Sequence, residues 1–261
     1  MISRVSTYLN SIQFSRILPS PQPSPGGIIT DGLFMELDAS LYGGRGNWID
    51  NTGNGNDATI NGPRFVVGDI SFFSFDGVDN TMTIAHNNGF SLSTTQQRTM
   101  QMWVNVRKPP TPPNRMIFFG KLSSAFGFDG YWGGIQSTAT PSGNPVVLVT
   151  NGTAISKTTY SNLLVQTATW YLFTFITQIS SAGESTLVYV NDIKYFSTEH
   201  GTDGYNESND VTIGYLTPPL TGLGQISYLD GWVGAVYFYT RGLSQAEIST
   251  NFEATRNTYG V

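Results

Sequence analysis

Two residue patterns in this sequence could do carbohydrate chemistry. Paired carboxylates on one face of a strand can supply the nucleophile and general acid of retaining glycoside cleavage. Among the six glutamates one forms such a pair, Glu36 with Asp38 in FMELDAS. Aromatic rings beside planar polar groups can instead hold a sugar, which offers an apolar face and fixed hydroxyls. The glycine-rich stretch GFDGYWGG (127–134) supplies Asp129, Tyr131 and Trp132, and GGRGNWIDN (43–51) supplies Arg45, Asn47 and Trp48. The competing reading is that both tryptophans plug the ends of the fold, the usual employment of large aromatics.

Metal and nucleophile chemistry are less well served. DNTGNGND (50–57) spaces Asp50, Thr52, Asn54 and Asn56 around Gly55 in the manner of a calcium loop. The bidentate glutamate such a loop needs at its twelfth position is Asn61, and no helices are expected to flank it. A polar turn is therefore the favoured reading, with calcium the one cofactor to consider and no metal site assigned. His86 and His200 are the only histidines, and neither belongs to a serine or cysteine nucleophile motif. Both are expected in surface loops.

Composition narrows the partners. Only 12% of residues are charged, the net charge is −5 and the thirteen basic residues form no run, so nucleic acid is not an expected partner. No cysteine is present, which removes disulfides and thiol catalysis. The N-terminal MISRVSTYLNSIQFSRILPS is interrupted by polar residues, so no signal peptide is expected, and no segment offers about twenty apolar residues for membrane insertion.

These candidate groups must be positioned by strands. Short apolar runs recur from Leu33 onward, among them LFMEL, SFFSF, TMTIA, TMQMWVNV, MIFFG, VVLVT, WYLFTFI, TLVYV, KYFST, VTIGY and WVGAVYFY. In TMQMWVNV, Met100, Met102, Val104 and Val106 share one face, as in an antiparallel sheet with one buried side. WYLFTFI and WVGAVYFY are apolar on both faces and predict central strands. Asn191-Asp192 between apolar runs predicts a tight hairpin. The expected fold is all-β, two stacked antiparallel sheets.

Both ends depart from this pattern. Residues 3–18 place Val5, Tyr8, Leu9 and Ile12 on one side at helical spacing, followed by four prolines within residues 19–25. The expected organisation is an arm over 1–30 and a domain over 31–261. The arm suits self-association or docking on a larger assembly; the alternative is a frayed terminus. At the other end Ser244 and Glu247 form a capping box, Leu243 and Ile248 a hydrophobic staple, and Ile248, Phe252, Thr255 and Tyr259 a narrow stripe with Gly260 as the stop. A short C-terminal helix packed on a sheet follows.

FDGVDNTMTI (75–84), RTMQMWVNV (98–106), LVYVNDIKY (187–195) and GWVGAVYFYTRGLSQAEISTNF (231–252) occur in an order that resembles the laminin-G-like, concanavalin A-like lectin/glucanase domains. The resemblance covers roughly residues 32–261. Its most specific part is the last, through Gly231, Val233, Val236, Tyr239, Arg241, Leu243, Ser244, Glu247 and Ile248. It implies a concanavalin A-like jelly-roll sandwich. Hydrolases of that family use E-x-D-x-x-E; here the third carboxylate is replaced by Leu41, so the resemblance implies no catalytic residues and leaves Glu36 and Asp38 on a solvated edge in a first hairpin. An aspartate that often follows the Val233 position and helps to hold calcium is here Gly234.

The closing NFEATRNTYGV is also similar to virion proteins of tailed bacteriophages. That likeness implies a non-catalytic structural or adhesion protein on the particle surface, a head decoration, neck appendage or tail-fibre module. Other virion proteins would bind its arm through Val5, Tyr8, Leu9 and Ile12. Host-surface glycans would meet Asp129, Tyr131, Trp132 and Trp48, and a homo-oligomer is compatible with such an arm. The alternatives are a free or cell-surface carbohydrate-binding module and, less favoured, a glycoside hydrolase.

Overall fold

A computed structural model describes residues 27–91, 96–111, 114–122, 130–137, 143–150, 159–160, 165–180, 183–200, 208–216 and 226–261. The arm residues Val5, Tyr8, Leu9 and Ile12 lie outside them. In chain order the strands are β1 Leu33–Asp38, β2 Ala58–Asn61, β3 Arg64–Val66, β4 Phe72–Asp76, β5 Thr81–Ile84, β6 Gln97–Val106, β7 Arg115–Leu122 and β8 Gly130–Ser137. They continue with β9 Gly143–Thr150, β10 Thr159–Tyr160, β11 Trp170–Ser180, β12 Gly183–Val190, β13 Ile193–His200, β14 Val211–Ile213, β15 Ile226–Ser227 and β16 Asp230–Tyr239, before the helix α1 Gln245–Tyr259.

The strands form two sheets. One runs β13-β12-β11-β6-β16-β4-β3, with β1 also on β16; the other runs β10-β9-β8-β7-β14-β5-β2, with β15 on β7. Every pairing among the described strands is antiparallel except β15 with β7. Met35, Phe75, Met102, Phe118, Phe173 and Phe238 fill the space between the sheets, which is the main core. Each of the eleven apolar runs noted in the sequence forms a strand over most of its length, and the result is the expected jelly-roll sandwich. Asn191, with φ 59°, turns β12 back into β13, and its side chain accepts from the Leu172 N–H at 3.0 Å.

Three expectations need correction. β1 does not form a hairpin with the next strand; it pairs with β16, Leu37 opposite Val236. Glu36 is accordingly half-buried rather than on a solvated edge. β6 is buried on both faces, because its second face, with Gln101 and Trp103, is covered by α1. Ile29, ahead of residue 31, packs on the domain: it is buried, its N–H donates to Asn251 Oδ1 at 2.7 Å, and its carbonyl accepts from the Tyr239 hydroxyl at 3.0 Å.

The C-terminal helix forms as its sequence specifies. The Ser244 N–H donates to Glu247 Oε2 at 2.8 Å and the Glu247 N–H to Ser244 Oγ at 3.3 Å; Gly260, at φ 71°, closes the helix. Trp103 stacks on Tyr259 with ring centres 4.3 Å apart and donates from Nε1 to Thr255 Oγ1 at 3.0 Å. Thr255 thus serves the stripe as an acceptor. Asn251 ties helix to sheet, donating to Gln101 Oε1 at 2.6 Å and to the Tyr239 hydroxyl at 2.9 Å. These buried groups are satisfied by one another, which fixes the helix in one place on the sheet. A Cβ on Gly234 would lie 2.3 Å from the Tyr259 ring, so an aspartate there would collide with the helix.

Candidate functional site

The sugar-binding expectation for Tyr131 and Trp132 rested on a glycine-rich loop. The segment is instead strand β8, hydrogen-bonded between β7 and β9. Its glycines permit close packing: a Cβ on Gly134 would stand 2.0 Å from the Met116 carbonyl oxygen, and one on Gly133 would press on Phe119. Tyr131 points into the core, where its hydroxyl donates to the Phe90 carbonyl at 3.0 Å and burial pushes the phenol pKa up. Trp132 is 2% exposed and cannot present a ring to a sugar. Asp129 lies outside the described residues. Trp48 is fully buried against Phe73, ring centres 4.7 Å apart, while Arg45 and Asn47 beside it are exposed. Both tryptophans are therefore packing residues.

The calcium-like loop is closed on itself. Asp50 Oδ1 accepts from the N–H groups of Glu36 and Thr52 and from the Thr52 hydroxyl, and Oδ2 accepts from the Asn56 N–H. Asn54 and Asn56 donate to the Phe34 carbonyl, at 3.0 and 2.8 Å, and the Thr52 hydroxyl oxygen lies 3.3 Å from it. The arrangement joins this loop to β1. Among the described residues no group of three or more acidic or histidine side chains is placed to share a metal ion.

Glu36 and Asp38 sit in different surroundings on β1. Burial, with added repulsion from Asp38 and Asp50, raises the Glu36 carboxyl above its usual range. Asp38 accepts from the Ser40 N–H at 2.8 Å and caps a short 3-10 turn. His86, expected in a surface loop, is half-buried with Nδ1 3.1 Å from the Lys121 ammonium.

At a different place one aromatic residue, Tyr228, stands among polar groups. At one end of the sandwich three segments meet: the turn after β4, the chain leaving β6, and the residues between β15 and β16. Gly77, Lys108, Pro110, Thr111, Tyr228 and Asp230 contribute to a polar cleft of about 120 Å³ there. Clefts that bury a drug-sized ligand measure roughly 300–1,000 Å³, so this one is small.

Each wall of the cleft has a local cause. In FDGVDN, burial works to raise the Asp76 carboxyl, but N–H donors, including those of Val78 and Asp79, outweigh it and hold its pKa below the ordinary value. Gly77 follows at φ 78°, and a Cβ there would lie 2.8 Å from Asp230 Cβ, so only glycine leaves that corner open. The Arg107 and Lys108 N–H groups donate to the Asp230 carbonyl, drawing the β6 exit onto β16. Arg107 also pairs with the Asp230 carboxylate, Nε to Oδ1 at 2.6 Å. Pro109-Pro110 then stiffens the wall. Opposite, Ser227 pairs with Met116 through β15, and the Leu229 N–H donates to the Gly214 carbonyl at 2.8 Å. Those contacts hold Tyr228 against Tyr215, rings 3.9 Å apart and 12° from parallel.

The pattern of Lys108-Pro-Pro-Thr111 and Ser227-Tyr-Leu-Asp230 was open to the same search that singled out residues 127–134. What the sequence lacked was any sign that residues so far apart share one end of the sandwich.

The family model described as the concanavalin A-like lectin/glucanases superfamily matches residues 76–249. No curated protein sequence matches. Among solved structures, domain 4 of AbnA, a GH43 extracellular arabinanase of Geobacillus stearothermophilus solved in complex with arabinotriose, aligns at TM-score 0.57 and 15% identity, over 84% of this chain and 97% of that one. The binding domain of botulinum neurotoxin DC in complex with SialylT aligns at TM-score 0.59 and 13% identity, over 86% of this chain and 52% of that one. Trypanosoma rangeli sialidase aligns at TM-score 0.59 and 17% identity, over 94% of this chain and 36% of that one. The chain therefore spans about half of the neurotoxin chain and about a third of the sialidase chain. At these identities the likeness is one of fold.

Proposed function

The chain belongs to the concanavalin A-like lectin/glucanases superfamily, and from that premise we propose that it is a non-catalytic recognition module, carried on a tailed-bacteriophage particle and presenting the Tyr228 cleft to host-surface glycans. The observation that carries this reading is the cleft itself: an aromatic wall, two hydroxyl side chains and a carboxylate already neutralised by Arg107, in a space fit for one sugar residue. Retaining hydrolysis in most glycosidase families uses a second carboxyl group across the glycosidic bond. Among the described residues Asp230 is the only acidic side chain lining the cleft. The solved relatives named with sugars support the binding half of the reading by analogy of fold.

The particle half rests on the closing sequence NFEATRNTYGV and on the proline-tethered arm. Residues 1–26 would attach the domain and residues 27–261 would face outward. Mass spectrometry of purified particles tests the setting. The protein should be found on particles assembled with the full chain and be missing when residues 1–26 are deleted, with the shortened chain still folded. Retention of the shortened chain would refute the anchoring role. Incubation of the full chain with glycans that it binds should release no reducing sugar; release abolished by Glu36→Gln would establish the hydrolase alternative. A soluble chain that binds glycans but never joins particles would favour the free carbohydrate-binding module.

A further inference from the structure

Among the described residues two charged side chains line the Tyr228 cleft, and their situations differ. The Asp230 carboxylate is engaged by Arg107 at 2.6 Å, and its side chain is 20% exposed. Lys108 is exposed and forms no ion pair among the described residues, where the arginines account for every pair: Arg107 with Asp230, Arg241 with Asp31 and Glu247, Arg256 with Glu253. The nearby Asp76 and Asp79 do not line the cleft, and the Asp76 carboxylate accepts from N–H groups of its own turn. The cleft wall thus carries one uncompensated positive charge on a chain whose net charge is −5.

We propose that the cleft selects a terminal sugar bearing a carboxylate, such as a uronic or nonulosonic acid. The proposal rests on the reading of the cleft as a glycan site and adds the class of sugar. The ring's apolar face lies on Tyr228, its hydroxyls meet Thr111, Ser227 and the free Asp230 oxygen, and its carboxylate meets the Lys108 ammonium. A charge-assisted hydrogen bond is about twice as strong as a neutral one and weakens with salt when exposed. A neutral sugar would leave the ammonium with water alone. The small cleft volume confines recognition to the chain end, where a single acidic residue is enough.

The test uses the full chain and matched probes: sialyllactose against lactose, and a galacturonate trimer against its methyl ester, titrated by calorimetry at low and at 0.5 M salt. In at least one pair the acid should bind about tenfold more tightly than its neutral partner. That preference should fall to near unity in Lys108→Gln and at high salt, and persist in Lys108→Arg. Equal binding of acid and neutral partners, or a preference untouched by Lys108→Gln, overturns the acidic-sugar inference and leaves the glycan site standing. Absence of binding to all four probes overturns the inference, and absence of binding across a broad glycan array as well overturns the glycan site beneath it.

Discussion

Replacing Glu247 by glutamine should remove a pH-dependent part of the stability of the helix junction. Glu247 accepts from both Arg241 nitrogens, at 2.6 and 3.0 Å, and from the Ser244 N–H at 2.8 Å. The Arg241 hydrogen bonds, opposed by burial and supported by Ser244, lower its pKa from 4.5 to about 2. At 1.36 kcal/mol per pKa unit the ceiling on this contribution is about 3.4 kcal/mol. Water still reaches the pair, since the two side chains are 28% and 10% exposed, so about 1.5–2 kcal/mol is the expected effect. A carboxyl whose folded pKa is depressed stabilises fully above its unfolded value and progressively less below it. Urea unfolding of wild type and Glu247→Gln should therefore differ by about 1.5–2 kcal/mol at pH 7 and above about 5. The gap should close as pH falls from 4.5 towards 2. A gap that stays constant down to pH 2.5 would refute the ion-pair account and leave only the loss of a cap.

Other perturbations test the packing. Gly234→Ala drives a methyl group into the Tyr259 ring and should cost about 1–3 kcal/mol by thermal or urea unfolding, with altered near-ultraviolet dichroism from the Trp103–Tyr259 stack. A chain starting at Gly27 should match the stability of the full chain, whereas one starting at Asp31 loses the Ile29 side chain and its two hydrogen bonds, about 2–4 kcal/mol by the same measurement. Trp132→Ala should lower stability by about 3–5 kcal/mol through a core cavity. Its calorimetric affinity for any bound glycan, measured under conditions where the variant is folded, should be unchanged; selective loss of binding with intact stability would restore Trp132 to the site.

The parts of the fold that were legible in the sequence are those whose cause is local. A capping box and staple involve residues three to five positions apart, so Ser244, Glu247, Leu243 and Ile248 identify the helix without tertiary knowledge. The Asn191 hairpin is local for the same reason. Burial of the second β6 face was not legible, because what covers Trp103 and Gln101 is Tyr259, Phe252 and Asn251, about 150 residues away. The pairing of β1 with β16 joins residues about 200 positions apart and has no signature of its own.

The burial of Tyr131 and Trp132 was not legible for a related physical reason. Glycines mark loops when they relieve backbone strain, but Gly133 and Gly134 in β8 make room for Phe119 and the Met116 carbonyl, which no sequence window reveals. Tyr131 and Trp132 looked like loop aromatics and are packing groups. Tyr228, Lys108 and Asp230 are ordinary residues in ordinary turns. Only the convergence of three chain segments at one end of the sandwich gives them a shared cleft.

Sugar binding at the Tyr228 cleft is tested by the affinity of the full chain and of Tyr228→Ala for glycans on an array, followed by titration of the strongest. The wild-type chain should bind, and Tyr228→Ala should lose about tenfold or more, about 1.4 kcal/mol, at unchanged melting temperature. Binding that survives Tyr228→Ala at full strength, or a wild-type chain that binds no glycan, would contradict it.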